Sequence, residues 1–167
     1  MAVTVQAIKE LRELTGVGML DCKSALEEAQ GDLEKAKQIL RRRGISVAEK
    51  RAGRETIQGL VEAYIHPDGR LGALVELNSE TDFVARTDEF KALAHDLAMQ
   101  VAATEPQYVS PEELPADSDG DPRDLCLLAQ PFINDANRSV QDLINDAIAK
   151  TGENIRVRRF QRFQLGR

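Results

Sequence analysis

Tryptophan is absent from this sequence, and aromatic residues of any kind make up 4% of its 167 residues. A folded core must therefore be assembled from Leu, Ile, Val and Ala. Cysteine is almost as scarce. Cys22 and Cys126 form no C-x-x-C pair and sit in helical or apolar contexts, which reads as two reduced structural thiols rather than a disulfide or a metal pair. The two histidines, His66 and His95, are too few and too isolated for a zinc set or a triad. No Gly-x-x-x-x-Gly-Lys-Ser/Thr loop occurs, and Gly16-Val17-Gly18 lacks the third glycine and the preceding strand of a dinucleotide site. Glu80 and Asp82 could be imagined as paired carboxylates, but acids at a helix mouth are more simply capping charges. Nothing here suggests an enzyme, and neither a metal nor a cofactor is expected.

Long apolar runs are missing as well. No stretch approaches the roughly 18 to 20 residues of a membrane span, and the first residues lack the basic, apolar, small-residue order of a signal peptide. The expectation is a cytoplasmic chain without a membrane partner. Positive charge is also short, since the net charge is −6. That argues against a nucleic-acid coat, which needs a basic surplus to neutralise phosphate. The charge is uneven, however. Residues 41 to 54 carry six Lys/Arg against Glu49 alone, residues 105 to 124 carry seven acids against Arg123 alone, and residues 154 to 167 carry five Arg and no acid.

What is present is periodicity. Residues 4 to 43 read as three short helices separated by glycines. Thr4 caps the first, with Val5, Ile8, Leu11 and Leu14 inward; Met19, Cys22, Ala25, Leu26 and Ala29 repeat along the second; Asp32 caps the third, with Leu33, Ala36, Ile39 and Leu40 inward and Gly44 placed as a left-handed stop. Val17 and Met19 either plug this small core or form an exposed apolar loop. Residues 45 to 54 read as a basic linker or short helix, and 55 to 167 as a second, larger domain. Within it Ile57, Gly59, Val61, Ala63 and Ile65 alternate on one face, His66 to Arg70 make the turn, and Leu71, Ala73, Val75 and Leu77 return on the same parity. This is a β-hairpin with one buried side.

Thr87 with Asp88 and Glu89 starts a long helix whose stripe is Phe90, Leu93, Ala94, Leu97, Ala98 and Val101. Just before it, Phe83 is either one more core aromatic or a protruding anchor for a partner protein. Residues 105 to 124 hold four of the six prolines and most of the acid excess, which predicts an irregular or mobile spacer rather than packed structure. Ser139 opens a last helix bearing Val140, Leu143, Ile144, Ala147 and Ile148, ending at Gly152. Ile155, Val157, Phe160, Phe163 and Leu165 make a final strand whose spacing slips, so either both faces are covered or a bulge intervenes.

Four motifs in order, Thr15-Gly16-Val17-Gly18-Met19-Leu20-Asp21-Cys22-Lys23, Glu80-Thr81-Asp82-Phe83-Val84-Ala85-Arg86, Gln130-Pro131-Phe132-Ile133 and Gly152-Glu153-Asn154-Ile155 with Val157-Arg158-Arg159-Phe160, resemble the elongation factor Ts family over nearly the whole chain. The resemblance implies an α+β fold: an N-terminal three-helix module like ubiquitin-associated domains, then a three-stranded antiparallel sheet packed with helices. It implies guanine-nucleotide exchange on elongation factor Tu, in its GDP-bound and nucleotide-free forms. By the same resemblance Phe83 inserts into that GTPase beside Asp82, Thr81 and Val84, while Arg12, Met19, Leu20 and Lys23, and then Thr151 and Gly152, supply further contacts. One copy of the core resembles the short members, which dimerise. Gln161 stands where some of those carry a cysteine, so the expected homodimer is noncovalent. The spacer also looks shorter than the helical segment of many relatives. Two other functions fit the residues less fully: an adaptor acting through the N-terminal module, and an RNA-binding protein acting through the basic segments.

Overall fold

The computed structural model describes residues Val3 to Arg167. It divides into two compact units, Met1–Gly53 with Asn145–Gly152, and Arg54–Ile144 with Glu153–Arg167.

In the first unit, helices α1 (Val5–Thr15), α2 (Met19–Glu28) and α3 (Leu33–Arg51) follow one another. The Thr4 hydroxyl accepts from Ala7 N at 3.2 Å and the Asp32 carboxylate from Lys35 N at 3.0 Å, so α1 and α3 start at the expected caps. Their apolar faces close on one cluster of Ile8, Leu11, Cys22, Ala25, Leu26, Ala29, Ala36, Ile39 and Leu40. Burying a leucine such as Leu11 or Leu26 fully contributes about 1.5–3 kcal/mol. Val5 and Leu14 are not part of it, being 65% and 58% exposed. Their strict three-residue spacing falls about 60° short of a full turn at each step, so the row walks off the face that Ile8 and Leu11 share.

Helix α3 does not stop at Gly44. It continues to Arg51, and Gly44 is buried within it. The glycine provides closeness instead of a left-handed stop: a Cβ there would lie 3.3 Å from the Cβ of Ala149. Of the two readings of the basic stretch, linker or short helix, the structure takes the helical one as far as Arg51, continuous with α3 and with Lys50 and Arg51 in the last turn, where cations favour the negative end of the helix dipole.

In the second unit, β1 (Gln58–Ile65) and β2 (Leu71–Ser79) form the hairpin, and β5 (Ile155–Gln164) pairs antiparallel on the other side of β2, in the order β1-β2-β5. The short helix α4 (Asp82–Ala85) follows β2 and leads into α5 (Asp88–Thr104), whose predicted stripe is buried in full, from Phe90 to Val101. The buried face of the hairpin is the opposite of the one predicted for β1. Val75 and Leu77 are fully buried and pair with Glu62 and Leu60, whereas Ile57, Val61 and Ile65 are 77%, 64% and 64% exposed. The cause is the turn. Ile65 pairs with Gly72 across six intervening residues, an even number, so odd positions of β1 face the same way as even positions of β2. In β5 a bulge resolves the slip in spacing. Glu76 pairs with Arg159 and Leu77 with Val157, so Arg158 is the extra residue and the inward parity passes from Ile155 and Val157 to Phe160.

Between α5 and the last helix, α6 (Pro122–Leu125) and a small ribbon of β3 (Pro131–Phe132) and β4 (Asp135–Ser139) were not anticipated. A two-residue strand and a polar Asp-Ala-Asn-Arg-Ser strand carry no alternation to read. Gln100 of α5 holds them: its amide donates to Gln130 Oε1 and the Pro131 carbonyl, each at 3.1 Å, and accepts from Ile133 N at 2.9 Å. Helix α7 (Val140–Thr151) starts on a reciprocal cap, Asp142 N to Ser139 Oγ at 3.2 Å and Ser139 N to Asp142 Oδ2 at 2.9 Å. Val140, Ile144 and Ile148 are buried, and the helix ends at Gly152 as predicted.

Candidate functional site

Among the described residues the most exposed large apolar one is Phe83, at 83%. It stands on α4, a single turn whose last two side chains are turned inward: Val84 is half-buried and Ala85 buried. The reading of Phe83 as a core aromatic is therefore set aside; the ring projects. Lone exposed hydrophobics are common on proteins, and exposure alone would decide little. What distinguishes Phe83 is how firmly its turn is built. The Thr81 hydroxyl accepts from Val84 N at 3.5 Å as the cap of α4, and the Thr81 carbonyl accepts from the buried Ser79 hydroxyl at 2.9 Å. Asp82 pairs with Arg86 one turn on at 2.8 Å, on the solvent side.

Two carboxylates outside the turn complete it. Glu153 accepts from the Thr81 hydroxyl at 2.6 Å and from Thr81 N at 3.0 Å, while Glu80 accepts from Asn154 N at 2.7 Å. Asn154 is itself buried and donates its amide to the Arg54 carbonyl at 2.8 Å. Sequence reasoning named Glu80, Glu153 and Asn154 as motif residues without seeing that they meet. Seventy-two residues separate Thr81 from Glu153, and no periodic signal spans that gap.

In the first unit the loop Gly16-Val17-Gly18 resolves the alternative left open for Val17 and Met19. Val17 packs against the helical cluster, whereas Met19 and Leu20 are 40% and 82% exposed. Gly16 has φ of 68°, a left-handed cap whose N–H bonds to the Arg12 carbonyl at 2.7 Å. The buried Cys22 thiol donates to the Val17 carbonyl at 3.5 Å, and burial pushes that thiol above its usual range. Arg12 and Lys23 are exposed, the latter near Glu27 at 3.8 Å. Thr151 and Gly152 belong to the same unit. The Lys150 side chain lies over Gly16, its Cε 2.8 Å from where a Cβ would stand. Arg51 donates to the Gly152 carbonyl, so the end of α7 and the glycine loop are neighbours in this unit.

Among the described residues no three His, Cys, Asp or Glu side chains gather to hold a metal ion. No helix there is long and apolar enough to cross a membrane. The basic segments, candidates for RNA contact, have much of their charge engaged within the protein. Arg43 bonds Glu28 and Ser24, Arg54 meets Glu80, Arg159 bonds Glu76, and Arg162 bonds the Ala102 carbonyl and meets Glu105.

The family model described as Elongation factor TS matches residues 22–119. Elongation factor Ts of Carboxydothermus hydrogenoformans is 50% identical over 194 positions, covering 98% of this chain and 89% of that protein. That of Thermotoga maritima is 48% identical over 194 positions, covering 99% and 98%. That of Moorella thermoacetica is 49% identical over 189 positions, covering 95% and 93%. These alignments are longer than the 167 residues here, so the relatives carry segments that this chain lacks.

Proposed function

The chain belongs to the elongation factor Ts family, and from that premise we propose that it discharges GDP from elongation factor Tu by inserting Phe83 into the GTPase. It is a nucleotide exchange factor in translation elongation and not an enzyme in its own right. The observation that carries the residue-level reading is the exposure of Phe83 on a turn held from several sides.

A GTPase holds GDP through backbone amides around the phosphates and through Mg²⁺. A partner that favours a displaced phosphate loop binds the empty protein better than the loaded one. Linkage makes the effect mutual: whatever factor the exchange protein takes from GDP affinity, GDP takes from its own. Discharge and release then follow from one coupling energy. Phe83 acts as the wedge, with Asp82, Thr81 and Val84 around it. Met19 and Leu20, flanked by Arg12 and Lys23, form a second contact, and Thr151 with Gly152 a third. The N-terminal helices serve as one contact module and residues 55 to 167 as the exchange core, working in the cytoplasm where translation takes place.

A homodimer belongs to the same proposal. Val61, Ile65, Leu74 and Phe163 share the outward face of the sheet, through the pairs Ile65 with Gly72 and Gly72 with Phe163, and are 64%, 64%, 43% and 65% exposed. Gln161, paired with Leu74 at the middle of this face, offers no thiol, so a second copy would be held by apolar packing.

The test is release of a fluorescent GDP from elongation factor Tu of the same source, with the parent and with Phe83→Ala. Loss of a hot-spot aromatic costs on the order of 2–4 kcal/mol, so the variant slows exchange at limiting factor by tens of fold or more. Normal exchange by the variant would rule the wedge out.

A further inference from the structure

We propose that Glu153 is a positioning residue for exchange, acting through Thr81 to fix the direction in which Phe83 projects; this rests on Phe83 being the inserted side chain. The argument begins with the hydrogen-bonding capacity of one threonine. A hydroxyl has one proton to donate and lone pairs to accept with. In Thr81 the proton goes to Glu153 Oε1 at 2.6 Å, which leaves a lone pair for the Val84 N–H at 3.5 Å, the cap of α4. The second carboxylate oxygen takes the Thr81 N–H at 3.0 Å, and the Thr81 carbonyl is held by Ser79 at 2.9 Å. Donor, acceptor and hydroxyl of Thr81 are all engaged, two residues before the projecting ring.

The grip is reciprocal. While Glu153 reaches across to the backbone of Thr81, Glu80 reaches back to the backbone N–H of Asn154 at 2.7 Å. Each segment lends a carboxylate to the other's main chain, so neither can rotate without breaking bonds at both crossings. Hydrogen bonds to an ionised carboxylate are shorter and stronger than neutral ones. A four-residue helix has too few internal bonds to hold a direction by itself, because helix formation gains only after its costly first turn. The direction of Phe83 is therefore set from outside α4. Glutamate suits position 153 because a carboxylate presents a separate accepting oxygen to each of the two Thr81 donors.

The absence of tryptophan from the chain provides a direct readout. Phe83→Trp places the sole indole at the site, and time-resolved anisotropy reports its rotation without reference to any GTPase. Adding Glu153→Ala is expected to introduce a nanosecond rotation of that indole while the far-ultraviolet spectrum stays unchanged. An indole held equally well in both proteins would overturn the proposal. Exchange supplies the second readout. Glu153→Ala is expected to slow GDP release by roughly ten-fold in the parent, within the range for bonds to a charged group, but by less than about two-fold in a Phe83→Ala background. An equal loss in both backgrounds would mean that Glu153 does not act through Phe83, and would also overturn it. If Phe83→Ala itself exchanges normally, the wedge reading fails and the anisotropy alone decides the brace. Should Glu153→Ala not fold, Glu153→Gln is read the same way, since it replaces one of the two accepting oxygens by an NH2 group that can only donate.

Discussion

Phe83 keeps an apolar ring in water, and Asp96 keeps a carboxylate partly out of it. A partner is the explanation proposed for the first; the second is a cost borne inside one protein. Burial pushes the Asp96 carboxyl above its usual range, with His95 beside it pulling weakly the other way. Its folded pKa is thus higher than its unfolded one. The folded state holds the proton more tightly, so this group's contribution to stability declines as pH rises through that range and stays unfavourable above it. Asp96→Asn is expected to raise the melting temperature at neutral pH. The gain should shrink as pH falls through the carboxylate range, which melts at pH 7 and pH 4 would show. At this scale the sequence was legible where chemistry is local: Thr4, Asp32 and Thr87 cap their helices as read. The bonds from Glu153 to Thr81 were not legible, because nothing in either segment's own pattern names the other.

Elements were read well where one face is filled by one neighbour. All six residues of the α5 stripe are buried, since a run of that length has a single period that fits. The hairpin shows why a shorter pattern fails. Both faces of β1 carry apolar residues, and the choice between them depends on whether the turn contains an even or odd number of residues, a count that alternation within a strand cannot supply. Gly44 failed for another reason. Glycine marks either a left-handed residue or a close approach, and these are identical in sequence. The structure separates them, and so does substitution. Gly44→Val would push a branched side chain against Ala149 Cβ, 3.3 Å from where a Cβ would start. Overpacking of this kind costs about 1–3 kcal/mol, to be seen as a lower urea midpoint with an unchanged slope.

For the whole molecule, the outward sheet face matters most. Four large apolar side chains in register on three strands make a contiguous patch of the sort that marks an interface. If a second copy covers it, Leu74→Lys sets two charges against each other at the centre. Sedimentation at micromolar concentration should then show the parent as a dimer and the variant as a monomer that still folds. A parent that is monomeric at all accessible concentrations would remove the dimer from the proposal. The RNA alternative is tested in the same preparation, since phosphate binding would weaken steeply with salt. With Arg43, Arg54, Arg159 and Arg162 already engaged by carboxylates, no such slope is expected.

The acidic stretch between α5 and the ribbon is fastened at its neck. Gln107 N and Tyr108 N donate to the Leu125 carbonyl at 2.8 and 3.1 Å, Leu127 N to the Tyr108 carbonyl at 2.9 Å, and Leu128 N to the Val109 carbonyl at 3.0 Å. What hangs beyond a closed neck can change length cheaply, because doubling a loop adds only about 0.6 kcal/mol of closure entropy. In evolutionary terms this is a place where a lineage can gain or shed a whole appendage without renegotiating the core. For the engineer it is a socket: a fluorescent or affinity domain grafted near Asp119 should leave the fold, and the turn that bears Phe83, as they are.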